Sequence, residues 1–413
     1  MSPNSDSHAP RRASSARQLW LHLRRAVFWT HLVAGCAAGV VILLLGATGV
    51  VLTYERQILG AAEAASWPDP PAGAERRSLD ALLADARSAT FEPQRVAVRR
   101  EPAAPVEISA GRRQRIAVDP WTGAEVAEAA PRLHAFFSFV TGLHRWIALE
   151  GDARRVARQI TGVANIVFLF ILVTGFVIWL PPLWKRALLA RQLLFARSYP
   201  TAKARDWAWH HVIGIWCLVP LILIAATGTV FHYDWARDTL RWLSGAQAPA
   251  PESSATDDPA PAATALRDAL PLETLLQRAA AEAGDWRRIT VTLPAPGATQ
   301  LEVTIDSGNG AQIQHQDVMI LDRRTGVVES LAPRNGDDAY AWARSVNRFL
   351  HTGELFGFGG QTVAGLASLG CVFLVWTGLS LAWRRLVQAP LRRRRVARTR
   401  GTALALEART AEG

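Results

Sequence analysis

Residues 28–54 read FWTHLVAGCAAGVVILLLGATGVVLTY, and residues 207–233 read WAWHHVIGIWCLVPLILIAATGTVFHY. Set against each other at n and n+179, without a gap, they match His31 to His210 and Gly35 to Gly214. The same register matches Ala47-Thr48-Gly49 to Ala226-Thr227-Gly228, and Tyr54-Glu55 to Tyr233-Asp234. Each stretch holds an apolar run, Phe28–Leu52 or Val212–Phe231, and a helix crossing hydrocarbon needs about 20 such residues. Two more runs of this kind, Ile160–Leu180 and Val363–Trp383, bring the expected spans to four. A secretory leader does not account for the first run. A leader's apolar region is about 7–15 residues and ends in a small-residue cleavage site, whereas this run continues into Thr53-Tyr54-Glu55.

The duplication extends past the spans. At n and n+203, Asp119 meets Asp322, Thr122-Gly123 meets Thr325-Gly326, Gly162 meets Gly365, and Thr174-Gly175 meets Thr377-Gly378. The offset grows because the second half carries Ala246–Ala262, a Pro/Ala/Ser-rich stretch that reads as a flexible linker. Between the spans, Leu79–Arg87 and Leu272–Arg278 have helical periodicity. Strand patterns follow at Gln94–Val98, Glu107–Ser109 and Arg115–Val118, and again at Ile289–Leu293, Leu301–Ile305 and Val318–Leu321. The last strand of each set runs into an Asp-x-x-Thr-Gly turn. The expected fold is a membrane α-helical protein with four transmembrane helices in two parallel repeats and two small α+β lobes outside the membrane.

Charge sets the expected orientation. The net charge of +11 gathers before the first span (Arg11, Arg12, Arg17, Arg24, Arg25), between the second and third (Lys185 to Arg205), and after the fourth (Arg384, Arg385, Arg392–Arg395). Basic residues in short flanks stay in the cytoplasm and anchor to anionic lipid, so this charge does not point to nucleic acid. The expected segments are a cytoplasmic start (1–26), spans at 27–54, 156–181, 207–233 and 359–384, and a cytoplasmic loop (182–206). Outside lie a first lobe (55–132), a linker with second lobe (234–338), and interfacial amphipathic segments at 133–155 and 339–358; a basic tail (385–413) returns inside. The expected location is a bacterial cytoplasmic membrane with periplasmic lobes. The three cysteines lie within apolar runs, have no metal-ligand spacing and include no C-x-x-C-H haem attachment site.

These residues resemble a known family, the membrane proteins with PepSY-associated transmembrane helices, grouped with iron-regulated membrane proteins and ferric–siderophore reductases. The resemblance rests on His31-x-x-x-Gly35, His210-His211-Val212-Ile213-Gly214, the four Thr-Gly pairs near span ends and the Asp-x-x-Thr-Gly turns. Leu143-His144-Arg145 and Leu350-His351 add to it. It covers about residues 20 to 388. It implies PepSY-like periplasmic lobes, b-type haem among the helices and, for some members, reduction of siderophore-bound iron.

Ionisable side chains within spans are costly and point to function. Haem iron takes neutral imidazoles as axial ligands. His31 and His210 occupy equivalent places about one turn into spans one and three, with Gly35 and Gly214 one turn further on the same face, where a macrocycle would find room. Polar capping at the membrane interface is the plainer reading of both. His211 stands as an alternative ligand to His210, or faces headgroups. His144 and His351 precede spans two and four and are the expected ligands of a second, outer haem. An interfacial histidine among aromatic residues is the competing reading. His232, whose counterpart is Thr53, reads as a lone outer ligand or a substrate-side group; His134 is a weaker candidate of that kind.

The functional expectation is one or two haem b groups per chain, passing electrons from a cytoplasmic or quinol donor to a periplasmic acceptor, with ferric siderophore the acceptor the resemblance implies. No P-loop, dinucleotide fingerprint or nucleophile–base set appears. Two other readings stay open: a non-enzymatic PepSY-type binding or regulatory protein anchored by its spans, and a siderophore or metal permease.

Overall fold

The computed structural model describes residues 11–88, 90–111, 114–180, 190, 192–246, 268–310, 312–334 and 339–391. The helices are α1 (Arg11–Leu52), α2 (Glu55–Ala64), α3 (Leu79–Ala86), α4 (Pro131–Trp146), α5 (Gly151–Trp179), α6 (Ala202–His232), α7 (Asp234–Leu243), α8 (Leu272–Glu282), α9 (Ala339–Thr352) and α10 (Gly357–Trp383). The strands are β1 (Arg95–Arg99), β2 (Val106–Ala110), β3 (Gln114–Val118), β4 (Arg288–Thr292), β5 (Gln300–Asp306), β6 (Gln316–Asp322) and β7 (Val328–Pro333). The chain divides into two compact units, one formed by the segments ending at Thr53, running Phe139–Tyr233 and starting at His351, the other by Tyr54–Ser138 and Asp234–Leu350.

The first unit is a helical bundle. α1, α5, α6 and α10 are each long and apolar enough to cross a membrane. They pack in the cyclic order α1, α5, α6, α10, which leaves α1 and α6 at opposite corners. Small residues permit the close approach that helices in lipid need: a side chain added at Gly39 would touch Leu379, and one at Gly46 would press on the Ser368 carbonyl. Ala38, Ile42, Leu172, Leu221, Ala225, Ala367 and Cys371 fill the centre. The outside is apolar too, with Val40, Trp216, Val219 and Leu366 each at least 60% exposed. So much exposed apolar surface belongs against lipid, not water. This is a membrane protein.

The helices outrun their apolar cores. α5 starts at Gly151, several residues before the expected span, because Asp152, Arg154 and Arg155 continue the helix in polar surroundings. α6 starts where Thr201 accepts a hydrogen bond from Ala204 N (3.1 Å), satisfying one free donor of the first turn. Near that end Asp206, 2% exposed, accepts from Ser380 (2.9 Å) and pairs with Arg384 (2.9 Å) and Arg205 (3.0 Å).

The second unit corrects an expectation. The two lobes are not separate: their strands form one antiparallel sheet in the order β3-β2-β1-β4-β5-β6-β7. The join is β1 against β4, with Arg95 opposite Thr292 and Arg99 opposite Arg288. Each lobe alone would present a strand edge with unpaired backbone groups, and pairing the two removes both. One face of the sheet carries α3 and α8 over a common core of Leu79, Leu82, Leu275, Val96, Ile108, Ile289, Leu301, Met319 and Leu321. The two helices cap each other. Asp80 accepts from Leu272 N (3.2 Å) and Glu273 N (3.4 Å), while Glu273 accepts from Leu79 N (3.2 Å).

Glu107 binds the strands at the join, pairing with Arg288 (2.9 Å), Arg99 (3.3 Å) and Arg115 (3.8 Å). Burial by itself would lift its carboxyl, but Arg288, Arg99 and Arg115 outweigh that and hold it below the ordinary glutamate range. Both Asp-x-x-Thr-Gly turns close alike: Asp119 accepts from Trp121 N (2.8 Å), Asp322 from Thr325 N (2.7 Å), and Gly123 and Gly326 take positive φ. β7 had no counterpart among the expected strands. The linker Ala246–Ala262 lies, beyond Ala246, outside the described residues, as do Lys185, Arg186 and Arg392–Arg395.

Candidate functional site

The bundle brings four histidines together in two facing pairs. His31 on α1 and His210 on α6 come from opposite corners, with ring centres 6.4 Å apart and planes at 90°. His144, in the last turn of α4, and His351, in the last turn of α9, face each other at 6.4 Å and 66°. The first pair lies toward the end where α1 and α6 begin, the second at the end where they stop. From His31 to Thr48, which touches His144, the helical rise amounts to about 26 Å.

Each ring is held in the same way. His31 Nδ1 meets Thr174 Oγ1 at 3.0 Å, His210 Nδ1 meets Thr377 Oγ1 at 3.0 Å, His144 Nδ1 meets Thr48 Oγ1 at 2.8 Å, and His351 Nδ1 meets Thr227 Oγ1 at 3.1 Å. The direction of these bonds follows from the threonines. A hydroxyl has one proton, and each of these gives it to the carbonyl four residues back: Phe170 (2.8 Å), Phe373 (2.7 Å), Leu44 (2.7 Å) and Leu223 (2.6 Å). With the hydroxyl proton on that carbonyl, each threonine oxygen accepts and each Nδ1 donates. His351 Nδ1 also lies 2.8 Å from the Ile224 carbonyl, three residues before its threonine, an acceptor that requires Nδ1 to carry hydrogen. Among the described residues no hydrogen bond engages Nε2 of any of the four.

The glycine after each threonine clears space for the ring. A Cβ at Gly175 would stand 3.2 Å from His31 Cε1, at Gly378 3.2 Å from His210 Cε1, at Gly228 3.3 Å from His351 Cε1, and at Gly49 3.9 Å from His144 Cε1. Gly35 and Gly214 do something else. A Cβ at Gly35 would meet nothing within 4 Å, and one at Gly214 only Leu374 at 3.6 Å. That leaves open space beside the first pair.

The remaining candidates are placed differently. His211 turns back on its own helix, with Nδ1 donating to the Trp207 carbonyl (2.9 Å) and its ring 4.0 Å from the Trp207 ring. His232 ends α6 and packs against α5, where a Cβ at Gly162 would be 3.2 Å from its Nδ1. Its counterpart Thr53 stands in the same way against Gly365. His134 lies in the sheet-bearing unit between Glu63 (3.6 Å) and Glu128 (3.7 Å). The helices that carry His144 and His351 both end just after the histidine, where Ile147, Ala148 and Gly353 take positive φ.

The role of the threonines was missed in the sequence, although the Thr-Gly pairs at four span ends were its signal. Among the described residues no group of three or more His, Cys, Asp or Glu side chains could hold a bare metal ion.

No curated protein matches the chain. The family model described as PepSY-associated TM region matches residues 28–385, which take in α1 from Phe28 onward, the other three long helices, the whole sheet and both histidine pairs. The chain belongs to that family, the proteins with a PepSY-associated TM region.

Proposed function

We propose that the protein is a haem b membrane protein holding two haems, one between His31 and His210 and one between His144 and His351. It would carry electrons across a bacterial cytoplasmic membrane to a periplasmic acceptor, with ferric iron in a siderophore the acceptor suggested by the resemblance. The observation that carries this reading is the pair of facing imidazoles at each end of one bundle, all four with Nδ1 engaged and Nε2 left over.

The residues fit the group. An imidazole nitrogen binds a first-row metal at about 2 Å and lies about 1 Å from its ring centre, so two axial rings on one iron have centres about 6 Å apart. Both pairs stand at 6.4 Å. Two imidazoles are too few for a bare ion, which wants about four ligands, but they complete a macrocycle that brings four of its own. Gly35 and Gly214 leave room beside the first pair. Of the two neighbours His210 and His211, His210 shares the threonine contact of the other three and is the ligand in this reading.

Haem bound in such a site supplies a one-electron couple. His31 and His210 would serve the cytoplasmic side and His144 and His351 the periplasmic side, on the orientation given by the basic flanks. The apolar centre from Ala38 to Cys371 keeps water from the space between. His232, at the end of α6 just over one turn beyond Thr227, would serve the acceptor side.

A dithionite-reduced minus oxidised spectrum of the purified protein, with haem counted per chain, tests this. Two haems per chain support it. Protein without a Soret band ends it and leaves the membrane-anchored binding module as the better reading.

A further inference from the structure

Buried threonines in membrane helices commonly hand their proton to a carbonyl one turn back, so a threonine in such a helix is not in itself notable. Thr161 and Thr229 do this without touching any histidine: Thr161 bonds Ala157, Arg158 and Arg145 carbonyls, and Thr229 bonds the Ala225 carbonyl and accepts from Asn165. Thr48, Thr174, Thr227 and Thr377 differ. Each offers its oxygen to an imidazole on another helix, and each is followed by a glycine against that imidazole's Cε1.

We propose that these four threonines are positioning residues that fix the Nδ1–H tautomer of His144, His31, His351 and His210, and thereby determine that Nε2 binds iron and how strongly it donates. The proposal rests on the haem reading above. The chemistry is that of an outer-shell acceptor: it fixes a ligating histidine's tautomer and orientation and raises its basicity. While the hydroxyl proton stays on the helix backbone, the oxygen can only accept from Nδ1. The opposite tautomer, with Nδ1 bare, would have to draw the hydroxyl off its backbone carbonyl in each of the four places.

The pattern also divides by half. His31 with Thr174 and His144 with Thr48 lie in the first repeat, and His210 with Thr377 and His351 with Thr227 in the second. Each half thus orients its own two rings and contributes one to each pair.

The test uses the full-length protein with Thr174→Val and Thr377→Val, which keep side-chain shape and remove only the oxygen, and Thr174→Ser, which restores it. Haem content and the midpoint of each optical transition are read by redox titration. The expected result is that each valine variant weakens haem retention at one centre by about tenfold and moves that centre's midpoint upward, since a poorer donor stabilises ferric iron less. The other centre stays at its wild-type midpoint and reports intact folding, and Thr174→Ser recovers the wild-type values. Valine variants with unchanged haem content and midpoints overturn the proposal while leaving the haem reading standing. Equal loss of both centres in the valine variants also overturns it, because the threonines then act on packing. Wild-type protein that carries no haem overturns both.

Discussion

Ala97 stands directly opposite Thr290 in the β1–β4 pairing, and each is the third residue of its strand. A strand paired with its own repeat at its own midpoint puts a local twofold axis between these two residues. The exchanged caps of Asp80 and Glu273 obey the same axis. The sheet-bearing unit should therefore lose structure as one body. Ile289→Ala removes a fully buried side chain of the second half and should cost about 2–5 kcal/mol. Limited proteolysis should then open first-half segments around residues 79–118 together with second-half ones. Cleavage confined to the second half would show two independent lobes.

On the haem reading, removing the proposed ligands should subtract haem by pair. His31→Ala and His210→Ala should each lose the same centre, about half the haem of the chain on a two-centre reading. His144→Ala and His351→Ala should lose the other. His211→Ala should retain both, because its ring nitrogen is tied to Trp207 on its own helix. Haem-to-protein ratios in the five variants decide the matter, and equal loss in His211→Ala would reassign the ligand.

Glycines against the rings should be graded by distance. Gly175→Ala and Gly378→Ala place a methyl 3.2 Å from a ring carbon, so the imidazole must move by a few tenths of an ångström, whereas at Gly49 the same methyl presses on Ser368 Oγ (3.2 Å) and stands 3.9 Å from the His144 ring. The first two variants should disturb the haem spectrum and haem content of the His31–His210 centre. Gly49→Ala should leave the His144–His351 centre close to wild type. The optical spectra of the three variants, compared at equal protein concentration, check the order.

Acid should expose the charge cluster at the join. Glu107 has its folded-state pKa lowered, so its contribution to stability is complete above the unfolded value of about 4.3 and fades as pH falls through the folded value. Glu107→Gln should thus destabilise the sheet-bearing unit near neutral pH by about 1 kcal/mol, its arginine partners being a third exposed. The gap between variant and wild type should close in strong acid. Denaturation followed by sheet-sensitive circular dichroism at several pH values measures it, and a gap independent of pH would deny the ion pairs a role.

The parts legible in the sequence were those carried by periodicity and duplication. Apolar run length placed the four long helices, and alternation placed β1 to β6 within a residue or two of Arg95–Arg99, Val106–Ala110 and their counterparts. What alternation cannot say is which edge meets which: it assigns Val96 and Ile289 to a buried face but leaves the β1–β4 partnership open. β7 escaped because Val328–Pro333 is exposed along nearly its whole length and shows no alternation. For the site, the repeat singled out His31 and His210, and the matched segments ahead of spans two and four singled out His144 and His351. Their threonine partners were hidden because a contact between Thr174 and His31 crosses 143 residues of chain, and sequence spacing carries no trace of it.

Because every facing pair takes one ring from each half, the order of synthesis matters. A nascent chain that has emerged as far as Thr201 possesses His31, His144 and the threonines that hold them, yet it can grip nothing between two imidazoles. Both pairs form only when the second hairpin inserts beside the first, so on the haem reading cofactor loading would report that biogenesis is finished.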